Sequence, residues 1–174
     1  MKTSIMLCRT KLDFDCGLFL DEYENLKHNE KVYESPRGAY AHWKVIRNED
    51  MTSKIVTDFT YNIKRMFMLP GRVDGRFFKL DANQYLLPHV DNKTQCCINF
   101  ILNDNPALIT IQDIPYTYKQ ALINTRMSHS VRNGDTDRIL FKISIFDVPF
   151  DEVKEIMEHQ GFLENAETFT QYTL

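Results

Sequence analysis

A mainly β barrel or jelly roll, with helices packed on its outer face, is the architecture that the sequence predicts. Three observations carry that expectation. Between residues 72 and 147, turn-forming residues cut the chain into seven or eight short apolar strands. Before residue 71, apolar residues recur instead with a helical period. The last strand, residues 138–145, can be read on both faces, one wholly apolar and one mixed.

In chain order, FLDEYENL sets Phe19, Tyr23 and Leu26 on one helical face. Residues 39–46 (AYAHWKVI) read as a strand, with His42 and Trp43 assigned to packing. MTSKIVTDFTYNIKRMF sets Ile55, Phe59, Ile63 and Met66 on a second helical face, with Asn48 or Asp50 as its cap and Leu69-Pro70-Gly71 as its stop. The strands that follow are GRFFKL, QYLLPHV, QCCINFIL, ALITIQ, YKQALIN, MSHSVRN and RILFKISIF. They are separated by LDAN, VDNKT, NDNP and NGDTD, and Asn133–Asp135 is the strongest hairpin signal among these. A final helix, VPFDEVKEIMEHQG, puts Val153, Ile156 and Met157 on its apolar face and stops at Gly161. The chain therefore reads as one domain over 1–174: a helical and strand support in 1–71, the β core in 72–147, and a C-terminal helix and tail in 148–174.

Composition narrows the function classes. The 174 residues carry 21 basic and 24 acidic side chains, interspersed, for a formal net charge of -3. That gives no footprint for nucleic acid or an anionic membrane. The apolar run Ile5–Cys8 is too short for a signal-peptide core or a membrane span, so the expectation is a soluble, cytoplasmic protein. Cys8 and Cys16 lack metal-ligand spacing, and Cys96 and Cys97 point to opposite faces of a strand; all four read as packing thiols.

Chemistry enters with QYLLPHVDN. In a strand, His89 and Asp91 fall on one face, about 6–7 Å apart at the backbone, which suits two ligands of one ion. His28 and Glu30 share the spacing but lie in or beside a helical segment, where positions two apart diverge. Downstream, MSHSVRN supplies His129. Two histidines and a carboxylate leave three coordination positions open, the facial triad of non-haem iron(II) sites. In RILFKISI, Ile139, Phe141, Ile143 and Ile145 make the face that helices cover, so Arg138, Leu140, Lys142 and Ser144 point into the barrel. A buried arginine there calls for an anion and offers it a two-pronged fork.

With these residues in place, the sequence resembles the iron(II)- and 2-oxoglutarate-dependent dioxygenases. LDANQYLLPHVDNKTQCCINFILNDNP and ALINTRMSHSVRNGDTDRILFKISIFD look most similar to the aspartyl/asparaginyl and prolyl hydroxylase branches. The resemblance spans roughly residues 74–147 and implies a double-stranded β-helix, a cupin-like barrel. It implies that His89, Asp91 and His129 hold iron(II), and that Arg138 binds the distal carboxylate of 2-oxoglutarate. Dioxygen is the third reactant and hydroxylation the outcome. Asn99 falls near a polar position that helps bind the cosubstrate in relatives, with a buried structural amide as the other reading.

Two departures stand out. Ala82 and Asn83 replace the usual glycine of the turn before the first histidine, and the interval from His129 to Arg138 is one residue shorter than in many relatives. The second leaves Lys142 as a substitute for Arg138, against a structural or solvent-reaching role. The substrate is open among a free amino acid, a peptidyl residue and another small metabolite, and so is the oligomeric state. LDAN, the segment before Arg72, and residues 114–118 are the expected mouth. Tyr116 and Tyr118 are either entrance-lining or, more in keeping with aromatic residues on a short strand, core. The competing reading is a cupin-like barrel that binds a metal or ligand without oxygenase activity.

Overall fold

A computed structural model describes residues 5–33, 42–105 and 108–164. Three α-helices are set by local signals. α1 (Cys16–Leu26) starts at Asp15, whose carboxylate accepts the Leu18 N–H at 2.9 Å, and it buries Phe19, Tyr23 and Leu26. α2 (Lys54–Met66) is capped by Ser53, whose Oγ accepts the Val56 N–H at 3.3 Å. The cap is therefore neither Asn48 nor Asp50. Those two sit in a separate 3-10 turn, and Asn48 Oδ1 accepts from Arg76 Nε at 2.7 Å.

The buried stripe of α2 is also rotated from the one expected. Val56, Ile63 and the following Phe67 are buried, with Phe59 packed beside them, while Ile55 and Met66 are exposed. Steps of three, four and four residues keep that set on one side of a 3.6-residue helix. α3 (Phe150–His159) buries Phe150, Val153 and Met157, and Gly161 ends it at φ 76°, the left-handed conformation that suits glycine.

The strands are β1 (Leu7–Arg9), β2 (Lys31–Val32), β3 (Trp43–Val45), β4 (Val73–Leu80), β5 (Tyr85–His89) and β6 (Cys96–Ile101), then β7 (Ile109–Ile111), β8 (Ile114–Tyr116), β9 (Gln120–Ile123), β10 (His129–Arg132) and β11 (Arg138–Ile145). They form two antiparallel sheets, one ordered β1-β9-β6-β11-β4-β3-β2 and the other β5-β10-β7-β8. Of the strand expected over 39–46, residues 39–41 lie outside the described residues and β3 accounts for the rest; Trp43 packs edge-on to Phe78 and His42 lies against Tyr85. β1 and β2 carried no strand signal that was read, and residues 114–116, expected at the mouth, form β8.

The Asn133–Asp135 turn is not a hairpin. β10 pairs with β5 and β7, whereas β11 pairs with β4 and β6, so this turn carries the chain from one sheet to the other. Asn133 instead donates through Nδ2 to the carbonyls of Leu80, Asp81 and Thr136. Within the four-stranded sheet the hairpin is β7–β8. Gln112 and Asp113 both adopt positive φ (49° and 64°), as a two-residue turn with the twist of its strands requires.

The eight strands β4–β11 thus build a double-stranded β-helix. One apolar core lies between its larger sheet and the helices, with Phe14, Phe19, Phe77, Phe100 and Phe141 in mutual contact. A second lies between the sheets. β11 serves both: Phe141, Ile143 and Ile145 face the helices, and Leu140 faces the barrel interior. Gly75 on β4 lets α2 approach closely, since a Cβ there would stand 2.1 Å from Thr60 Oγ1. Among the four free cysteines, Cys8, Cys96 and Cys97 are packing thiols, but Cys16, at the first turn of α1, is exposed. Among the described residues, no helix is long and apolar enough to cross a membrane.

Candidate metal centre

His89, Asp91 and His129 come together at one end of the barrel interior, each offering one donor atom and all three atoms within 4.8 Å of one another. His129 opens β10 and pairs with His89, the last residue of β5. The next pair is Val131 with Leu86, two residues on along one strand and three back along the other, so β5 carries a bulge at Leu87–Pro88. An extra residue reverses strand parity. Here it turns both Leu86 and His89 inward, and it accommodates a proline, which has no N–H to give the ladder.

Asp91 lies beyond the strand end, not on the strand face with His89 as the spacing implied. Its N–H donates to Thr125 O at 3.0 Å, and Arg126 Nη1 donates to the carbonyls of Asp91 and Asn92 at 2.7 and 3.1 Å. The turn before β5 has Asn83 at φ 61°, so asparagine fills the left-handed position there.

The hydrogen bonds fix the histidine tautomers. Nδ1 of His89 is 2.7 Å from Leu87 O, and Nδ1 of His129 is 2.9 Å from Met127 O. A carbonyl oxygen can only accept, so each Nδ1 carries the proton and each Nε2 keeps a lone pair. Both Nε2 atoms face Asp91 Oδ1, at 3.7 and 4.0 Å. Burial lowers both imidazoles below the ordinary histidine value; His129, crowded as well by His89, is pushed down to about 4. Burial acts to raise the Asp91 carboxyl, but Lys142, His129 and His89 outweigh it and hold it below the usual carboxylate range. Two neutral imidazole nitrogens and one carboxylate oxygen, converging on a point, fit a divalent first-row metal ion with positions to spare.

Lys142 belongs to this centre. Its Nζ is 3.3 Å from Asp91 Oδ2, the oxygen turned away from the histidines, and 5.7 Å from the Phe78 ring centre. Paired with Asp91 and 19% exposed in its side chain, it lies four residues along β11 from Arg138 and lines the same cavity.

Arg138 is 1% exposed. Its Nη2 donates to Tyr118 Oη at 2.9 Å, and Asn99 Nδ2 donates to the same oxygen at 3.0 Å. Asn99 Oδ1 is buried with no hydrogen-bond partner among the described residues. Tyr118 is core by burial, the reading its sequence context favoured, and what sequence reasoning missed is the polar role of its hydroxyl. Read back from the inward Ala121 and Ile123 of β9, strand parity puts position 118 outside; the strand starts only at Gln120, so parity does not extend that far.

His89, Asp91, His129, Arg138, Asn99, Tyr118 and Lys142 all line one cavity of about 380 Å³. His28 and Glu30 stay apart from it, and Glu30 accepts the hydroxyl of Tyr23.

No family model and no curated protein matches the chain. Solved structures do. A prolyl-4-hydroxylase from Pseudomonas putida is 7% identical, with 75% of this chain and 84% of that one covered and a TM-score of 0.54. The non-heme alpha ketoglutarate dependent epimerase SnoN from nogalamycin biosynthesis is 14% identical, with 79% and 75% covered and a TM-score of 0.59. At these identities the likeness is one of fold.

Proposed function

We propose that the chain is an iron(II)- and 2-oxoglutarate-dependent dioxygenase that hydroxylates a small molecule or an amino-acid residue. The observation that supports this most is a His-Asp-His donor set sharing one cavity with a buried arginine. A guanidinium beside the donor set offers a two-pronged fork to a carboxylate that reaches the ion with its other end. When bound, iron(II) would supply activation of dioxygen for attack on a C–H bond, coupled to oxidative decarboxylation of 2-oxoglutarate to succinate and carbon dioxide.

The protein's own part is to hold and aim. His89 Nε2, His129 Nε2 and Asp91 Oδ1 would hold the ion, and the two backbone carbonyls keep both imidazoles in the metal-binding tautomer. Arg138 would bind the far carboxylate of 2-oxoglutarate, with its Nη2 steadied by Tyr118 Oη. Asn99 fixes Tyr118 in turn. Leu86, Ile109, Val131 and Leu140 line the cavity and keep it dry.

Metal removal tests the reading. Protein stripped with a chelator should make no succinate from 2-oxoglutarate, and iron(II) should restore the activity. His129→Ala should lose most metal binding, measured by manganese(II) titration, while keeping its fold. Metal binding without 2-oxoglutarate turnover would favour the cupin-like binding barrel.

A further inference from the structure

The proposed metal and cosubstrate leave part of the cavity's charge unaccounted for. Among the described residues, its basic lining is Arg72, Arg76, Lys93, Arg138 and Lys142, against Asp91 as the acidic residue. Arg138 belongs with the cosubstrate, and Lys142 faces Asp91. Arg72, Arg76 and Lys93 remain: the two arginines lie where β4 begins, away from Arg138, which pairs with Leu80 at its end, and Lys93 lies two residues past Asp91.

The two arginines are held rigidly. Asp74, on the same face of β4, accepts from Arg72 Nε at 3.2 Å and from Arg76 Nη2 at 2.9 Å, and Arg72 Nη2 donates to it as well. Asn48 accepts from Arg76 Nε, and the Arg72 guanidinium lies 4.5 Å from the Phe146 ring centre. Asp74 lies between the two guanidinia and Asp147 accepts the Arg72 backbone N–H at 2.7 Å, but neither carboxylate lines the cavity, so the face presented to a ligand there is basic. The surroundings place it beside the chemistry. Arg76 is the cross-strand partner of Lys142, and Phe78, the next residue on the inner face of β4, packs edge-on to Trp43 at 5.5 Å to make an apolar wall. A focused positive end in a protein of net charge -3 attracts small anions specifically.

Resting on the oxygenase reading, we infer that the substrate is a small organic acid, its anionic group held by Arg72 and Arg76 and its apolar body laid along Phe78 and Trp43. Three probes with one body test this: 3-phenylpropionate, its primary amide and 2-phenylethyl phosphate, each titrated into manganese(II)- and 2-oxoglutarate-loaded protein by calorimetry. At least one anion should bind tenfold or more tighter than the amide, and whichever anion wins identifies a carboxylate or a phosphate substrate. That preference should shrink to threefold or less in Arg76→Gln, and also in Arg72→Gln, which alters a more exposed side chain. Equal binding of amide and anions, no saturable binding of either anion, or an undiminished preference in both folded variants would overturn the inference. So would loss of 2-oxoglutarate binding in Arg76→Gln, which would move these arginines to the cosubstrate. Failure of the parent to bind 2-oxoglutarate, measured before any probe is added, would instead overturn the oxygenase reading itself.

Discussion

Tyr118 ties two polar side chains of the barrel interior to one oxygen, so it bears on stability and on ligand binding at once. Tyr118→Phe removes the acceptor of one Arg138 N–H and one Asn99 N–H. The expected cost is about 1–3 kcal/mol in urea denaturation, typical of buried donors that lose their acceptor. Arg138→Leu acts differently. It should leave metal affinity nearly intact and weaken 2-oxoglutarate by roughly 3–5 kcal/mol, the scale of a broken buried ion pair, and lysine should restore only part of it for want of a fork. Anaerobic titration of 2-oxoglutarate into iron-loaded proteins measures both. At this scale the residue types were legible, since histidines, a carboxylate and an arginine are rarely left in a barrel interior; parity aims Arg138, whereas a bulge aims His89 and Asp91 lies beyond its strand. The polar role of Tyr118 was not legible, because it lies in the irregular link before β9. The contact of Lys142 with Asp91 depends on how two sheets face each other, and no spacing along the chain records that.

Local signals located the elements better than they oriented them. The second helix was found, but its cap and its buried stripe were each displaced by a few positions. Ser53→Ala should therefore cost about 1 kcal/mol in thermal or chemical denaturation, the usual worth of a cap, whereas Asp50→Ala should not destabilise α2 by loss of a cap. The strands were also found, yet Asn133–Asp135 misled. A turn-forming triplet specifies a reversal of direction and is silent about which strand lies alongside afterwards. In this barrel the links β4–β5, β5–β6, β6–β7, β8–β9, β9–β10 and β10–β11 all cross between the sheets, and β7–β8 alone among those from β4 onward does not. Proline in QYLLPHV, by contrast, marks a real feature. It sits in the bulge that turns His89 inward, so the residue least suited to a strand interior occurs where the strand departs from regular pairing.

Across the whole molecule, the crossing links explain why a site can be read from scattered positions. They bring the end of β5 and the start of β10 over the inner face of β11, so that residues as far apart in sequence as His89 and Lys142 meet in one cavity. The same arrangement leaves open strand edges, and these are where copies of a β protein would adhere to one another. In the smaller sheet, one open edge is β5 with Pro88 and the other is β8 with Pro115. Ile111 and Ile114 flank the two-residue turn and exchange its ladder bonds, so the Pro115 nitrogen faces outward, where an incoming strand would look for a donor. In the larger sheet the outer edge of β1 is covered, since Glu164 N–H donates to Arg9 O and Lys11 N–H to Phe162 O, and β2 at the other edge is two residues long among the described residues. Proline guards the smaller sheet, and a covering segment and a short strand guard the larger. Pro115→Val should therefore show concentration-dependent association by light scattering under conditions where the parent shows none. By this route the bulge that aims a metal-site histidine inward also helps keep the protein from joining edge to edge with its own copies.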